Sequence, residues 1–368
     1  MLLDHDRPAR RKRQRKFRFV FAAFLAVELF AVAEVYFRYA APTPFYPLPS
    51  EIENQAWREQ IHRPSQIPGL IYELRPNIGV RNRILPNLAI EIKTNSFGMR
   101  DREPLPAGQP HVFRIAAVGD SFAFGWGVET TAEIYTSLLE DDLNAARKPG
   151  APQFDVLNFG VAGYNAIEEA AVIEHKAMLW NPDLIVIGYF LNDPELEQYQ
   201  PARTIYLEPR WWQHSFALRA FRRVWYERLI IYHGGGNEFR YLHADGRDEW
   251  RSVLRAFGRV RDAAAERKIP AVVAIFPEPP LDSWENYQYT DLHAKVAAAA
   301  REFEFHPLDL LEAFRRYDAK SMRLAPDDNH TTPLGHRVAA CEIFKKVVAL
   351  ERSRFPTPLP ACPTLHGQ

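Results

Sequence analysis

The chain has 368 residues, enough for one large domain or two of average size, and 47% of them are hydrophobic, ample for a packed core. Lysine plus arginine equals aspartate plus glutamate at 46 each, a net charge of zero that gives no support to a nucleic-acid partner. The twelve histidines are scattered and no CxxC or HExxH spacing occurs, so neither a metal nor a cofactor is expected.

The neutrality hides a lopsided N-terminus. Arg7, Arg10, Arg11, Lys12, Arg13, Arg15, Lys16 and Arg18 precede the apolar run Phe19 to Phe37, the pattern of a cytoplasmic basic tail (1–18) before a membrane anchor (19–38). As a helix, 19 residues span about 28 Å, just enough for a bilayer core. A-x-A spacing is absent around Tyr39-Ala40-Ala41-Pro42, which favours an uncleaved anchor over a signal peptide. Glu28 and Glu34 oppose that reading, because an acid in hydrocarbon is costly unless neutral, paired or near an interface. The alternative is a buried soluble helix; as an anchor, Glu28 would face a partner helix. No second run of this length follows, so the remainder is expected outside the cytoplasm, in the periplasm of a Gram-negative cell.

Residues 39–69 are rich in proline and polar residues and read as a linker. The stretch 70–110 contains the alternating run Leu88 to Thr94 and the turn Asn95 to Asp101, and reads as a small β extension. From 111 to 352 strands and helices alternate. Ile115–Val118, Phe154–Phe159, Leu184–Phe190 and Pro270–Phe276 are strand-like, whereas Ala166–Trp180 and Asp291–Phe303 have helical spacing. Such alternation predicts an α/β fold, a three-layer, doubly wound parallel sheet with right-handed crossovers. Thr130 and Glu133 form a capping box for the helix after Ser121, and Pro333 suits the first turn of a last helix running to Leu350.

The insertion 195–250 holds Trp211, Trp212, Trp225 and Trp250, and Leu218, Phe221, Trp225, Leu229 and Tyr232 recur at helical spacing with Arg219, Arg222 and Arg223 largely off the stripe. We read it as a helix covering the α/β domain, with a cap lining a ligand site or a membrane-surface helix as alternatives. Gly234-Gly235-Gly236 lacks the context of a phosphate loop and reads as a flexible loop. Cys341 lies in an apolar helical pattern and Cys362 in the proline-rich tail (353–368). They are either a buried thiol and a spare one or a disulfide stapling the tail.

Four polar groups follow four strand- or helix-like segments. Ser121, in Val118-Gly119-Asp120-Ser121, stands at the carboxyl edge of an apolar run, where open α/β sheets place their active sites. His330 follows Asp327 by three residues and supplies a general base with its own orienting carboxylate. Gly163, in Asn158 to Gly163, offers a backbone N–H, and Asn192, in Phe190-Leu191-Asn192-Asp193, a side-chain amide, to a developing oxyanion. His336 is assigned to structure.

This set, in this order, resembles the SGNH or GDSL hydrolase superfamily over roughly Arg114 to Leu350. The resemblance implies a flavodoxin-like fold and a serine esterase or acylhydrolase. It implies Ser121, Asp327 and His330 as catalytic triad, and the Ser121 N–H as a third oxyanion donor beside Gly163 and Asn192. Two positions depart from the pattern: Phe190 stands where a glycine is usual, and the first block reads Gly-Asp-Ser-Phe rather than ending in leucine. Phe190 is expected to narrow the pocket or shift the Asn192 loop. The implied substrate is an ester at the cell envelope, chiefly a glycan O-acetyl group, with lipid acyl esters as another class. Alternatives are acyl transfer to a surface polysaccharide beside a membrane acyl-donor protein, or a non-catalytic glycan-binding member of the fold.

Overall fold

The structure, a computed structural model, describes residues 7–42, 47–48, 51, 55–86, 88–196, 201–358 and 362. It divides into two compact units, one of residues 1–53 and 207–229, the other of 54–206 and 230–368. In chain order the long helices are α1 (Arg7–Tyr39), α2 (Tyr135–Ala146), α3 (Ala166–His175), α4 (Phe216–Gly234), α5 (Asp248–Ala265), α6 (Thr290–Glu302) and α7 (Pro333–Leu350). The main sheet comprises β1 (Val112–Gly119), β2 (Gln153–Asn158), β3 (Leu184–Tyr189), β4 (Ala271–Ile275) and β5 (His306–Asp309).

The sheet is parallel throughout, in the order β2-β1-β3-β4-β5. This is the doubly wound arrangement that the alternation of elements predicts, with the topological switch between β1 and β3. Its strands are apolar on both faces because each face is roofed by helices. Ala116, Val118, Ile185 and Ile187 pack with residues of α3, α5 and α6, whereas the alternate residues Ile115, Ala117, Leu184 and Val186 pack with α2 and α7. Each large side chain so buried contributes about 1.5–3 kcal/mol.

β5 is not legible in the sequence. It has only four residues, one of them Pro307, and it survives because it is an edge strand whose outer side needs no N–H donor. The capping box at Thr130 does form, with Glu133 accepting from the Thr130 backbone N–H at 3.4 Å, but it opens a 3₁₀ turn (Thr131–Glu133) just before α2. A second box, Asn165 with Glu168, starts α3.

The alternating run becomes an antiparallel pair, Gly79–Leu85 with Leu88–Lys93, whose Ile90 and Ile92 join the core of the larger unit. The expected linker is not wholly irregular: Gln55–Ile61 is helical and His62–Pro64 pairs with Tyr72–Leu74. Positions 43–46, 49–50 and 52–54 of that linker lie outside the described residues, as do 197–200 of the insertion, 1–6 of the basic tail and 359–361 and 363–368 of the C-terminal tail. Of the two readings of the cysteines, the structure takes the disulfide: Cys341 and Cys362 are bonded, with Cα atoms 5.5 Å apart.

In the smaller unit, α1 is exposed along its apolar run and is long and apolar enough to cross a membrane. The stripe expected to be covered on α4 is not. Phe221 is 64% exposed and Trp225 55%, while Ala217, Arg219 and Ala220 are buried.

Candidate active site

The site begins with a close approach. A Cβ at Gly119, the last residue of β1, would stand 2.8 Å from the Gly188 carbonyl oxygen of β3, so the two strand ends meet only because this residue is glycine. Asp120 then caps a single helical turn, Ser121–Phe124, its carboxylate accepting from the Phe122 N–H at 2.9 Å. Gly125 ends that turn in the left-handed region. Ser121 is thereby held at the carboxyl edge of β1, an interior strand of the sheet. Beneath it, Phe122 stacks on Phe190 with ring centroids 4.2 Å apart and lies 5.3 Å from Phe276.

The Ser121 Oγ is 2.7 Å from His330 Nε2, and His330 Nδ1 is 2.6 Å from an aspartate oxygen. That aspartate is Asp328, one residue along from the expected Asp327. The reason is local geometry. Asp328–Thr331 is a strand paired antiparallel with Arg323–Ala325, and on a strand side chains share a face at i and i+2. Asp327 precedes this strand and falls outside the i, i+2 pattern that joins Asp328 to His330. Asp327 lines the cavity but the carboxylate bonded to His330 belongs to Asp328.

Asp328 is well supported. Its Oδ1 also accepts from the His330 backbone N–H at 3.0 Å, and its Oδ2 from the Trp126 indole N–H at 3.1 Å. Partial burial pushes this carboxyl up, but the His330 ring, the His330 backbone and Trp126 more than offset it and hold it down at about 2. Trp126 is another residue the motifs did not flag, although its setting in Gly125-Trp126-Gly127 marks a turn that faces the nucleophile. Asp120 behaves oppositely: full burial raises its pKa despite the Phe122 N–H and the nearby His330, and its Oδ2 lies 3.2 Å from the Ser121 hydroxyl.

Gly163 and Asn192 line the same cavity as Ser121 and His330, a space of about 430 Å³. Gly163 has φ +86°, a conformation that a residue with a Cβ adopts only under strain. Its carbonyl accepts from the buried Arg203 at 3.0 Å, and that of Ala162 before it from the Tyr72 hydroxyl at 2.8 Å, which pins the turn. Asn192 follows β3 across the switch point, its carbonyl accepting from the Glu195 N–H at 2.9 Å. Phe190 is buried on Phe122 and also borders the cavity, so the departure from glycine is absorbed by aromatic packing.

Glu195 and Glu238 also line the cavity, and neither motif nor spacing revealed them. Burial, then the charge of Glu238, pushes Glu195 up to about 8. His336 is fully buried, accepts from the Tyr135 N–H at 3.3 Å, and is pushed down to about 3 by burial and by the positive charge of Arg100, as a structural histidine should be. Among the described residues no group of three His, Cys, Asp or Glu is placed to hold a metal.

A serine hydroxyl, an imidazole and a carboxylate in hydrogen-bonded sequence, at the switch point of an open parallel sheet, define a hydrolase of the serine type. The GDSL-like lipase/acylhydrolase family matches residues 117–338, more than half of the chain. The chain belongs to that family and is a serine ester hydrolase. Among solved structures it is similar to an acetylxylan esterase from Geobacillus stearothermophilus, at 16% identity and a TM-score of 0.40 over 66% of this chain and 96% of that one. It is also similar to a lipase/acylhydrolase from Enterococcus faecalis, at 15% identity and a TM-score of 0.39 over 65% and 96%. No curated protein matches the chain in sequence.

Proposed function

We propose that the chain is a membrane-anchored esterase that removes a short acyl group, an O-acetyl in particular, from a substrate at the cell envelope, with Ser121, His330 and Asp328 as its triad. The observation that carries the reading is the unbroken chain from Ser121 Oγ through His330 Nε2 and Nδ1 to Asp328, at 2.7 and 2.6 Å. His330 takes the serine proton as Oγ attacks the ester carbonyl, then returns it to the departing alkoxide. Water, activated in the same way, releases the acyl group. Asp328 keeps the proton on Nδ1, so that Nε2 faces the serine as a base, and stabilises the imidazolium. The N–H groups of Ser121 and Gly163 and the amide of Asn192 stabilise the tetrahedral anion.

Phe124, Trp126 and Phe190 border the cavity beside the nucleophile, which supports a short acyl group over a long chain. The bare apolar α1 behind its basic cluster supports an uncleaved anchor with the rest of the chain on the opposite side of the membrane. The test is hydrolysis of p-nitrophenyl acetate, butyrate and octanoate by the full chain in detergent, beside Ser121→Ala. We expect serine-dependent turnover greatest on acetate. Unchanged turnover in Ser121→Ala would sink the mechanism, and a preference for octanoate would replace the O-acetyl substrate with a lipid.

A further inference from the structure

An acid near the end of an apolar helix needs an occupation, and Glu34 has one. Its carboxylate accepts hydrogen bonds from the Ser215 hydroxyl at 2.8 Å, the Phe216 N–H at 3.1 Å and the Ala217 N–H at 2.9 Å. These are the donors that the first turn of α4 would otherwise leave open, at the positive end of its dipole. Arg38, one turn beyond Glu34, pairs with it at 2.8 Å and lies 4.8 Å from the Phe216 ring centroid. Arg219 lies 3.9 Å from the same centroid and is forked onto Glu51 at 2.6 and 3.0 Å. The start of α4 is therefore locked to the end of α1.

That lock sets a depth. Glu34 lies sixteen residues beyond Arg18, the last of the basic cluster, or about 24 Å along a helix axis. With a hydrocarbon core of about 30 Å, a bilayer that holds Arg18 in one headgroup layer brings Glu34 within about 6 Å of the other boundary. An acid there escapes most of the cost of mid-membrane burial, and α4 begins at that boundary.

The exposed face of α4 suits the place. Phe221, Val224 and Trp225 are 64%, 49% and 55% exposed, and Trp211 just ahead of the helix is 79% exposed. Phe221 and Trp225, one turn apart, stack at 6.4 Å. Arg222 borders this face, its guanidinium 4.8 Å from the Trp212 ring. The exposed Arg228, seven residues after Phe221, falls on the face itself, its long stem able to carry the charge up to the headgroups. The Arg223–Glu227 ion pair lies on the opposite side of the helix. Aromatic residues bordered by arginine, with a charged face opposite, are the composition of a helix lying in a membrane interface.

We propose that α4 is an interfacial helix, seated in the leaflet opposite the basic cluster with Phe221, Val224 and Trp225 among the acyl chains. Its occupant is lipid, and the proposal rests on the reading of α1 as an anchor. The experiment uses the full chain in phosphatidylethanolamine/phosphatidylglycerol vesicles, with photoreactive benzoylphenylalanine in place of Trp225 or, as control, of Glu227. These positions are two residues apart on one helix and so face about 200° away from each other. Alkaline carbonate extraction is measured in parallel.

The expected result is a carbonate-resistant chain with lipid adducts at position 225 several-fold above those at 227. Glu34→Ala should lower the yield at 225 towards that at 227, and Glu34→Gln, which keeps one acceptor, should fall less. Equal yields at the two positions, or adducts at 225 to protein instead of lipid, in a carbonate-resistant chain overturn the proposal and leave the anchor standing. Release by carbonate overturns the anchor reading and this one with it.

Discussion

Replacing Asp328 by asparagine is the sharpest probe of the site, because the two adjacent aspartates make opposite predictions. Asp328 accepts three hydrogen bonds, from the His330 ring and backbone on Oδ1 and from Trp126 on Oδ2. An asparagine has one acceptor oxygen. If its NH₂ turns towards Trp126, two donors meet in a partly buried place; if it turns towards His330, Nδ1 must become the acceptor and the proton moves to Nε2. In that tautomer His330 cannot take the Ser121 proton. Loss of the correct tautomer in a triad costs about a thousand- to ten-thousand-fold in kcat, or about 4–5.5 kcal/mol at 1.36 kcal/mol per tenfold. Asp327 does not bond to His330, so Asp327→Asn should stay within about threefold of the parent, since an exposed polar exchange disturbs little. The assay is p-nitrophenyl acetate turnover in both variants, with far-UV circular dichroism and melting curves to show that each is folded. If Asp327→Asn loses the thousandfold and Asp328→Asn does not, the strand geometry that assigns the acid is wrong.

Further outcomes follow from neighbouring parts of the structure. Asn192→Ala should lower kcat by about a hundred- to a thousand-fold with little change in KM, as expected for a donor that acts on the oxyanion; equal kcat in the two proteins would remove Asn192 from that role. Glu195 is raised from 4.5 to about 8 by burial and by Glu238, against the pull of Arg203, so between those pH values the folded chain holds a proton that the unfolded chain releases. Stability must then fall as pH rises through that window. Glu195→Gln should match the parent near pH 4.5 and exceed it above pH 8, on the order of a few kcal/mol, in urea melts; parallel pH profiles for the two would refute the shift. Cys362→Ser opens a loop of 21 residues' separation and should cost about 3 kcal/mol, read as a lower urea midpoint that matches the reduced parent.

Local chemistry made much of this protein legible before any tertiary contact was known. Apolar runs of strand length alternating with helical spacing are sufficient for a doubly wound sheet, because a parallel strand must be covered on both faces. The position of Ser121 followed from the same rule, since what comes directly after a buried parallel strand stands at the carboxyl edge of the sheet. His330 before a helix opened by Pro333 was equally readable. What sequence spacing could not decide was the partner of His330, because i+3 is right for a helix and i+2 for a strand, and only the pairing of Asp328–Thr331 with Arg323–Ala325 chose between them. The strand β5 was hidden by its length and its proline. Glu195 and Glu238 meet the cavity from separate segments, so no local pattern carried them. Glu34 shows the division most clearly: along the chain it is an acid in an apolar helix and counts against an anchor. Only the arrival of the α4 N-terminus, some 180 residues later, turns it into a cap, since hydrogen-bond partners so far apart in sequence are brought together by the fold alone.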